Sequence, residues 1–369
     1  MLRAHKIRLY PNEAQLILLN KSAGASRYAY NWGLRQWNSW YEAFEAGETD
    51  EKPNALALSR RWTKERPEWS QETCRASQTK AIMNLGDAFK KFFKNLAKHP
   101  KKHKKGINDS FYVPNNEGYI KDNYVHLTKL GNIRLAEKLR FEGKIMGYTV
   151  TKQGNLWFVS VQVDCPKDIK PTCINPKSAV GIDVGLHTPA TASDGTTLVL
   201  PKDTLSKLDR KLKRAQRALA RSQRNSHNRV KKLIKKQRIQ LRMNNIRNDA
   251  CHKFTTKIAK NHGIIVIEDI NIQGLKQDAQ QATRAVRHAY QDSVMGRVLE
   301  RLQYKAQTII KAPRYYPSSK TCSQCGHVKN ELPPSIRTYR CEHCGATIDR
   351  DINASINLKQ YYISGGSHR

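Results

Sequence analysis

The clearest arrangement of reactive side chains is a pair of short cysteine motifs near the C-terminal end of the chain. Each is a CxxC motif, and residues 326–340 separate the two. The four cysteines are Cys322, Cys325, Cys341 and Cys344. Each motif lets two thiolates from one tight turn reach the same ion, and Gly326 and Gly345 follow where such a turn needs positive φ. Two disulfides or four unrelated thiols are the alternatives, but four soft ligands at this spacing predict one tetrahedral, structural Zn²⁺.

Carboxylates follow at positions where an α/β fold could gather them. Asp183 and Glu268 each end a short apolar run typical of a buried strand, and Asp351 lies at the entry of a helical pattern. Strand ends are where an α/β sheet presents its site. Carboxylates brought together repel one another unless cations lie between them. We therefore expect these acids to hold two Mg²⁺ ions, which would favour two-metal hydrolysis of a phosphodiester.

Each acid also has an ordinary structural interpretation. Asp183, which lies close to two glycines, could form an Asx-turn with its own loop. Only one of Glu268 and Asp269 can face a common site if strand alternation holds. Asp349 or Asp351 could simply cap the C-terminal helix. The pattern alone leaves these alternatives open.

The charge of the chain restricts its partners. Lys and Arg number 66 against 31 Asp and Glu, and the net charge of +35 predicts binding to an extended polyanion. No apolar run reaches transmembrane length, and residues 1–6 lack the apolar core of a signal peptide. The cysteines outside the motifs are expected to be reduced core residues, which indicates a cytoplasmic protein. They are Cys74, Cys165, Cys173 and Cys251.

Strands and helices alternate in the first half of the sequence. Residues 3–10 alternate as a strand, and Asn12 is expected to cap a helix that is interrupted near Gly24 and followed by a second helix. Residues 43–70 are polar and predict loops, whereas apolar residues recur at helical spacing over 71–96.

Short strands are expected next. Turn signals and alternating apolar residues over 111–165 predict antiparallel strands, which the strand at 3–10 could join to make a small β-barrel. Residues 166–176, bounded by prolines, indicate a linker.

A second domain is expected to start near Ser178 and to contain the strands that end in acids, with a hairpin turn at residues 194–195. A helical hairpin over 203–261, turning at 222–228, has one apolar seam and is otherwise basic. A coiled coil in water would balance such charge with acids, so this hairpin is expected to contact phosphates. A further helix is predicted near 283–309.

Motifs spread over the chain resemble the TnpB family of transposon-encoded proteins, which are compact relatives of the type V CRISPR effector nucleases. They are KIRLYP at 6–11, YNW at 30–32, GIDVGL at 181–186, VIEDI at 266–270, SSKTC at 318–322 and DRDINA at 349–354. The resemblance extends from about residue 2 to about residue 358.

This resemblance implies an RNA-guided DNA endonuclease. Its expected fold is a RuvC-like α/β nuclease domain of the RNase H fold with a zinc ribbon, preceded by a β-barrel wedge domain and a helical recognition lobe. It implies that Asp183, Glu268 and Asp351 bind the two catalytic Mg²⁺ ions, and Asp349 is the alternative to Asp351 as the third ligand. It also implies that the four motif cysteines bind Zn²⁺.

The implied partners are a guide RNA from the transposon end and double-stranded target DNA beside a short motif, with base pairing reading the sequence. The protein is expected to be a monomer on one RNA, without membrane contact, in the prokaryotic cytoplasm near the nucleoid. A nuclease-inactive RNA-guided DNA-binding transcriptional repressor is the alternative. The basic character of the chain independently favours an extended nucleic acid.

The sequence also predicts domain boundaries and candidate nucleic-acid contacts. The expected domains are 1–10 and 107–165 (β-barrel wedge), 11–106 (helical recognition), 166–177 (linker), 178–314 and 346–360 (nuclease, with the hairpin 203–261), 315–345 (zinc ribbon) and 361–369 (disordered tail). The candidate nucleic-acid contacts are Gln78, Lys80, Lys101, Lys102, Lys211, Arg214, Lys231 and Lys232.

Overall fold

A computed structural model describes residues 1–106, 109–166, 170–333 and 335–365. The chain divides into two compact units, one formed by Met1–Asp168 with Ala218–Arg238 and the other by Ile169–Arg217 with Ile239–Arg369. Within the described residues, no helix combines the length and the apolar character needed to cross a membrane.

Seven strands of the first unit form one antiparallel sheet in the order β2-β6-β7-β1-β5-β4-β3. They are β1 (Leu2–Tyr10), β2 (Ser110–Pro114), β3 (Gly118–Lys121), β4 (Tyr124–Leu127), β5 (Gly131–Leu135), β6 (Lys144–Gln153) and β7 (Leu156–Asp164). The predicted strand at 3–10 is confirmed, and Trp157, Val159, Val161 and Val163 alternate into the core as predicted.

The expected β-barrel is not shown, because the outer strands β2 and β3 do not pair with each other in the described chain. Two helices cover part of the open sheet instead. Leu19 and Ala23 of the first helix belong to the same apolar core as the strands. Ser77 of another helix donates a hydrogen bond to the carbonyl oxygen of Tyr112 in β2. Packing against helices thus buries apolar surface that a barrel would bury by closure.

The first unit contains the α-helices α1 (Glu13–Glu45), α2 (Ala55–Glu65) and α3 (Arg75–Phe93), with short 3₁₀ helices at Glu68–Glu72 and Asn115–Glu117. Asn12 caps α1 through a capping box with Gln15, as its position predicted. The expected break near Gly24 is wrong, since α1 is continuous. A single glycine costs only about 1 kcal/mol in a helix, which tertiary packing readily offsets. The predicted loop at 43–70 instead contains α2, whose Trp62 is fully buried.

The second unit is built on a four-stranded sheet in the order β11-β10-β8-β9. Its strands are β8 (Ala179–Asp183), β9 (Thr191–Ala192), β10 (Ile264–Glu268) and β11 (Thr308–Ala312), and β12 (Thr338–Arg340) and β13 (Thr347–Asp349) form a separate pair. Strands β8, β10 and β11 are parallel, and β9 is antiparallel to β8.

In the described residues six further α-helices follow, of which α4 and α5 contribute residues to both units. They are α4 (Lys202–Ala220), α5 (His227–Asn261), α6 (Ile272–Asp278), α7 (Arg284–Asp292), α8 (Met295–Lys305) and α9 (Arg350–Ile363). The prediction of a single helix near 283–309 is wrong. This stretch contains α7 and α8, which residues 293–294 separate, followed by the start of β11. Of the predicted disordered tail, 361–363 are helical, and 366–369 lie outside the described residues.

Lys305 is an unusual core residue because a cation lies where apolar side chains dominate. It is only 8% exposed, and its Nζ donates hydrogen bonds to Thr255 Oγ1 and Thr256 Oγ1, both at 2.8 Å, and to the carbonyl oxygen of His252. Burial, together with the positive charge of Arg301, lowers the pKa of Lys305 to about 8. The ammonium therefore links α8 to α5 at a desolvation cost.

We expect Lys305→Met to change the pH dependence of stability. Between about pH 8 and about pH 10.4 the native state binds fewer protons at this group than the unfolded chain, so wild-type stability gains as pH rises. The stability of Lys305→Met relative to wild type should therefore decline from about pH 7 to about pH 9.5, by on the order of 1 kcal/mol.

Thermal unfolding midpoints at the two pH values measure this difference. Lys253→Met is the control, because Lys253 is exposed and pairs with Asp249 on the surface. Parallel pH profiles for Lys305→Met and wild type would contradict a depressed pKa.

Candidate functional site

Two parallel strands bring Asp183 and Glu268 to the same edge of the second unit's sheet. Ile182 of β8 is level with Ile267 of β10, so the acids that follow them are also level. Neighbouring strands lie about 4.8 Å apart, which makes the two backbone positions close neighbours.

Helix α9 brings the third acid to this edge. It packs directly on the backbone of β8, because a Cβ at Gly181 would lie 2.0 Å from the carbonyl oxygen of Ser355. Asp183 shares the face of Gly181, since side chains two residues apart on a strand point the same way. Asp351 precedes Ser355 by about one helical turn, so it lies on the face that Asp183 presents.

The charge of one carboxylate in this set shifts the pKa of its neighbour. Burial, together with the charge of Asp351, raises the pKa of Asp183 to about 7. Burial, together with the charge of Asp183, also raises the pKa of Glu268 to about 7. Asp351 itself is only 9% exposed. The site is therefore a desolvated cluster of mutually repelling acids.

The neighbouring acids have other roles. Asp269 lies beside the cations of Lys311 and Arg314, at 3.5 and 4.0 Å, and its side chain is about half exposed. Asp349 caps α9, because its Oδ1 accepts hydrogen bonds from the backbone N–H groups of Asp351 and Ile352. These partners favour Glu268 over Asp269 and Asp351 over Asp349 as candidate metal ligands, and the assignment stays a prediction.

Two arginines also act on the cluster. Arg337 donates a hydrogen bond from its Nη2 to Asp351 Oδ2. The positive charges of Arg350 and Arg337 lower the pKa of Asp183, against the larger effect of burial. Sequence reasoning missed Arg337, since it lies in a polar stretch between the cysteine motifs that has no periodic pattern.

The donor chemistry of the cluster fits Mg²⁺, which takes oxygen ligands. Among the described His, Cys, Asp and Glu residues, the four cysteines are the group of three or more whose ligand atoms lie close enough to hold one ion, all within 4.8 Å of one another, and the three carboxylates do not form such a group. Mutual repulsion of carboxylates and the contact with Arg337 both oppose closer approach. Asp183, Glu268 and Asp351 would be the groups that hold the ions.

The cysteine cluster has the geometry of a zinc site. Cys322 Sγ lies 3.7 Å from Cys344 Sγ, and Cys325 Sγ lies 3.6 Å from Cys341 Sγ. Tetrahedral zinc with bonds of about 2.3 Å separates its sulfurs by about 3.8 Å, whereas a disulfide needs about 2.0 Å. The turns after the two motifs have positive φ at their glycines, 78° and 75°, as predicted. The cluster is compatible with one structural Zn²⁺ and excludes the disulfide alternative.

Asparagines of α9 tie the first cysteine motif to the carboxylate site. Asn353 Oδ1 accepts a hydrogen bond from the backbone N–H of Ser323, and its Nδ2 donates to the carbonyl oxygen of Thr321 at 2.7 Å. One turn later, Asn357 Nδ2 donates to the carbonyl oxygens of Ser318 and Thr321. The helix that carries Asp351 therefore shares a hydrogen-bond network with the first cysteine motif.

The candidate nucleic-acid contacts differ in their exposure to solvent. Gln78 is fully buried; its amide donates to Ser70 and Thr73, and its oxygen accepts from Trp62 Nε1. The expectation that Gln78 contacts nucleic acid is therefore wrong. Lys80, two residues later, is exposed and lies over the ring of Tyr112 at the rim of a cavity of about 360 Å³.

The other candidates share an exposed or half-buried position at which no carboxylate partner is recorded in the described chain. Lys232 is half-buried and the others are exposed. They are Lys101, Lys102, Lys211, Arg214, Lys231 and Lys232. Their availability for phosphates stays a prediction.

We expect Cys341→Ser to remove zinc and loosen the start of α9 together. The variant should fall from about one zinc ion per chain to nearly none, because a structural site folds with its metal. Hydrogen exchange at the first turn of α9 should accelerate, since Asn353 and Asn357 would lose a fixed partner.

Metal analysis and hydrogen-exchange mass spectrometry measure the two effects. Cys173→Ser is the control, because Cys173 is a partly exposed cysteine outside the cluster. A variant that loses zinc but keeps wild-type exchange in α9 would show that the ribbon does not support the helix.

Three family models match parts of the sequence. Residues 159–279 match a “Probable transposase” model, OrfB of IS605, and residues 296–358 match “Cas12f1-like, TNB domain”. Residues 1–46 match a model described as “Helix-turn-helix domain”. Here, however, residues 1–46 contain β1 and one continuous helix.

Relatives of nearly full length also match. “Putative RNA-guided DNA endonuclease InsQ” of Escherichia coli (strain K12) is 31% identical over 97% of this chain and 91% of its own. “Putative RNA-guided DNA endonuclease” of Streptomyces pristinaespiralis is 30% identical over 96% of this chain and 88% of its own.

A solved structure shares the fold. The “Cryo-EM structure of the Cas12f1-sgRNA-target DNA complex” aligns with a TM-score of 0.53 at 16% identity, covering 94% of this chain and 83% of that one. The sequence identity to these relatives over nearly the whole chain, together with the family models, establishes the family of this protein. The chain belongs to the TnpB family, that of the IS605 OrfB proteins.

Proposed function

We propose that this protein is an RNA-guided DNA endonuclease that cuts target DNA beside a short transposon-adjacent motif. The observation that carries the proposal is the convergence of Asp183, Glu268 and Asp351 at one edge of the sheet. Two relatives that match nearly the whole chain are named as RNA-guided DNA endonucleases, which supports it. The net charge of +35 supplies the attraction that an RNA and a DNA strand require.

In this proposal the three carboxylates hold two Mg²⁺ ions. Such ions, when bound, activate a water and stabilise the leaving oxygen of a phosphodiester. The protein's own part is to fix the ligands: β8 and β10 set the spacing of Asp183 and Glu268, and α9 brings Asp351 to them. The four-cysteine cluster holds one structural Zn²⁺ and supports α9.

We also propose domain roles for the described elements. The sheet and its turns over 1–10 and 107–165 form the wedge, 11–106 the recognition lobe, 178–314 with 346–360 the nuclease domain, and 315–345 the zinc ribbon. Lys80, at a polar cavity between helices and sheet of the first unit, is a candidate to contact the DNA motif. The protein would act as a monomer on one RNA.

Adjacent acids provide a matched test of the nuclease site. We expect Glu268→Gln to reduce cleavage of a plasmid carrying the target by more than about 100-fold, because even residues that only support a metal ligand cost about 10- to 100-fold when removed. Asp269→Asn should keep most of the activity, since Asp269 is half exposed and lies beside Lys311 and Arg314.

The protein should be purified with its RNA and assayed in Mg²⁺. Both variants should keep the bound RNA. Equal cleavage by the two variants would contradict the assigned site. Wild-type protein that binds its RNA and target without cutting would instead support the alternative, a nuclease-inactive transcriptional repressor.

The basic helical hairpin generates a separate prediction. Replacing Lys211, Arg214, Lys231 and Lys232 by glutamine should weaken RNA binding. Each lost phosphate contact reduces the number of counterions that the RNA releases on binding, and this release favours the complex. The slope of log affinity against log salt should become shallower by about 0.7 for each lost contact to single-stranded RNA.

Binding titrations at several salt concentrations measure the slope. The control is Lys213→Gln with Lys253→Gln, because both lysines already pair with neighbouring aspartates, Asp209 and Asp249. An unchanged slope in the fourfold variant would show that the hairpin is only a solvated surface.

A further inference from the structure

One face of the seven-stranded sheet in the first unit presents aromatic and basic side chains to solvent. Along β1, β3, β4 and β5, alternate residues are more deeply buried and many of them belong to the apolar core. The residues between them therefore face outward. The outward residues that define what we call the aromatic–basic face are Arg8, Tyr10, Tyr119, Lys121, Tyr124, His126, Asn132 and Arg134.

The strand register places these side chains in a regular order. Tyr10 of β1 pairs with Arg134 of β5, which also pairs with Tyr124 of β4, and Tyr124 pairs with Lys121 of β3. One row across four strands thus alternates aromatic and cation. Since neighbouring strands are about 4.8 Å apart, the two tyrosines stand about 10 Å apart with the guanidinium between them.

A second row lies beside the first. His126 pairs with Tyr119 on one side and with Asn132 on the other. The rings of Tyr119 and His126 stack with centroids 4.7 Å apart and planes 13° apart, and His126 Nδ1 lies 2.9 Å from Asn132 Oδ1. Tyr119 remains 52% exposed and Tyr124 47% exposed. The hydrogen bond and the stack fix the orientation of the rings while leaving about half of each tyrosine open.

The cations of this face have no carboxylate partner among the described residues. No ion pair to Arg8, Lys121 or Arg134 is recorded in the part of the chain that the structure describes, and Arg8 instead lies 4.8 Å from the centroid of the Tyr10 ring. Cross-strand aromatic pairs can stabilise a sheet by themselves, by roughly 0.2–1 kcal/mol each. That role explains the Tyr119–His126 stack but not the two unneutralised cations that flank Tyr124.

We infer that the aromatic–basic face binds unpaired nucleotides of an RNA, with bases stacked on Tyr124 and Tyr119 and phosphates contacted by Arg134 and Lys121. The assignment to RNA rests on the proposed RNA-guided function. Unpaired nucleotides are required because a duplex hides the faces of its bases. Exposed aromatics on an antiparallel sheet bind RNA in this way in other folds, and stacking tolerates any base.

Ultraviolet cross-linking of the wild-type protein with its co-purified RNA tests the location without any substitution. Trypsin releases Tyr119 in the peptide 106–121 and Tyr124 with His126 in the peptide 122–129. We expect nucleotides attached to both peptides. Cross-links confined to other peptides would overturn the inference, as would attachment of DNA rather than RNA to these two peptides in the target-bound complex.

Paired substitutions test the stacking. In protein freed of RNA, Tyr119→Leu with Tyr124→Leu should weaken binding of single-stranded oligouridine by about 5-fold or more, whereas Tyr119→Phe with Tyr124→Phe should bind like wild type, since phenylalanine keeps the ring. Equal affinities of the leucine and phenylalanine variants, at equal thermal midpoints, would overturn the inference.

The outcome is distinguishable from failure of the proposed function. A protein that cuts guided DNA but gives no cross-link at either peptide contradicts only this surface. A protein that carries no RNA at all contradicts the proposed function.

Discussion

Close contact between α9 and the backbone of β8 is the constraint on which the candidate site depends. A side chain at Gly181 would meet the backbone of α9 at Ser355 and Lys359, so a glycine sets the distance between helix and strand. Asp183 follows two residues later, and Asp351 precedes Ser355 by about one turn. The same contact therefore orders two acids that are 168 positions apart in the sequence.

Packing of this kind works against the electrostatics of the site. Burial raises the pKa of Asp183 and Glu268, and the neighbouring carboxylate raises each further. The positive charge of Arg337 partly offsets this, and the hydrogen bonds of Asn353 hold α9 to the cysteine turn. These hydrogen bonds tie the end of α9 that carries Asp351 to the first cysteine motif, which lies outside the sheet.

Local signals predicted local structure well. The cap at Asn12, the alternation in β7 and the glycines after the cysteine motifs each act within a few residues, and the structure confirms them. What the sequence could not give depends on distant contacts. Whether the sheet closes depends on helices covering it, and whether Glu268 or Asp269 faces the candidate site depends on which side of β10 faces α9. Arg337 could not be found because its significance arises only from its contact with Asp351.

The basic surface attracts the phosphates of a nucleic acid, whereas the carboxylates of the candidate site repel them. Exposed cations attract phosphates over much of the chain, but three clustered carboxylates would repel the one phosphate that must approach them. Attraction elsewhere cannot remove this local repulsion, because screening limits it to about 10 Å at ordinary ionic strength. Cations held between Asp183, Glu268 and Asp351 would reverse the local sign. The proposed reaction therefore needs both features: the surface to hold the strand, and metal-binding acids to accept its phosphate.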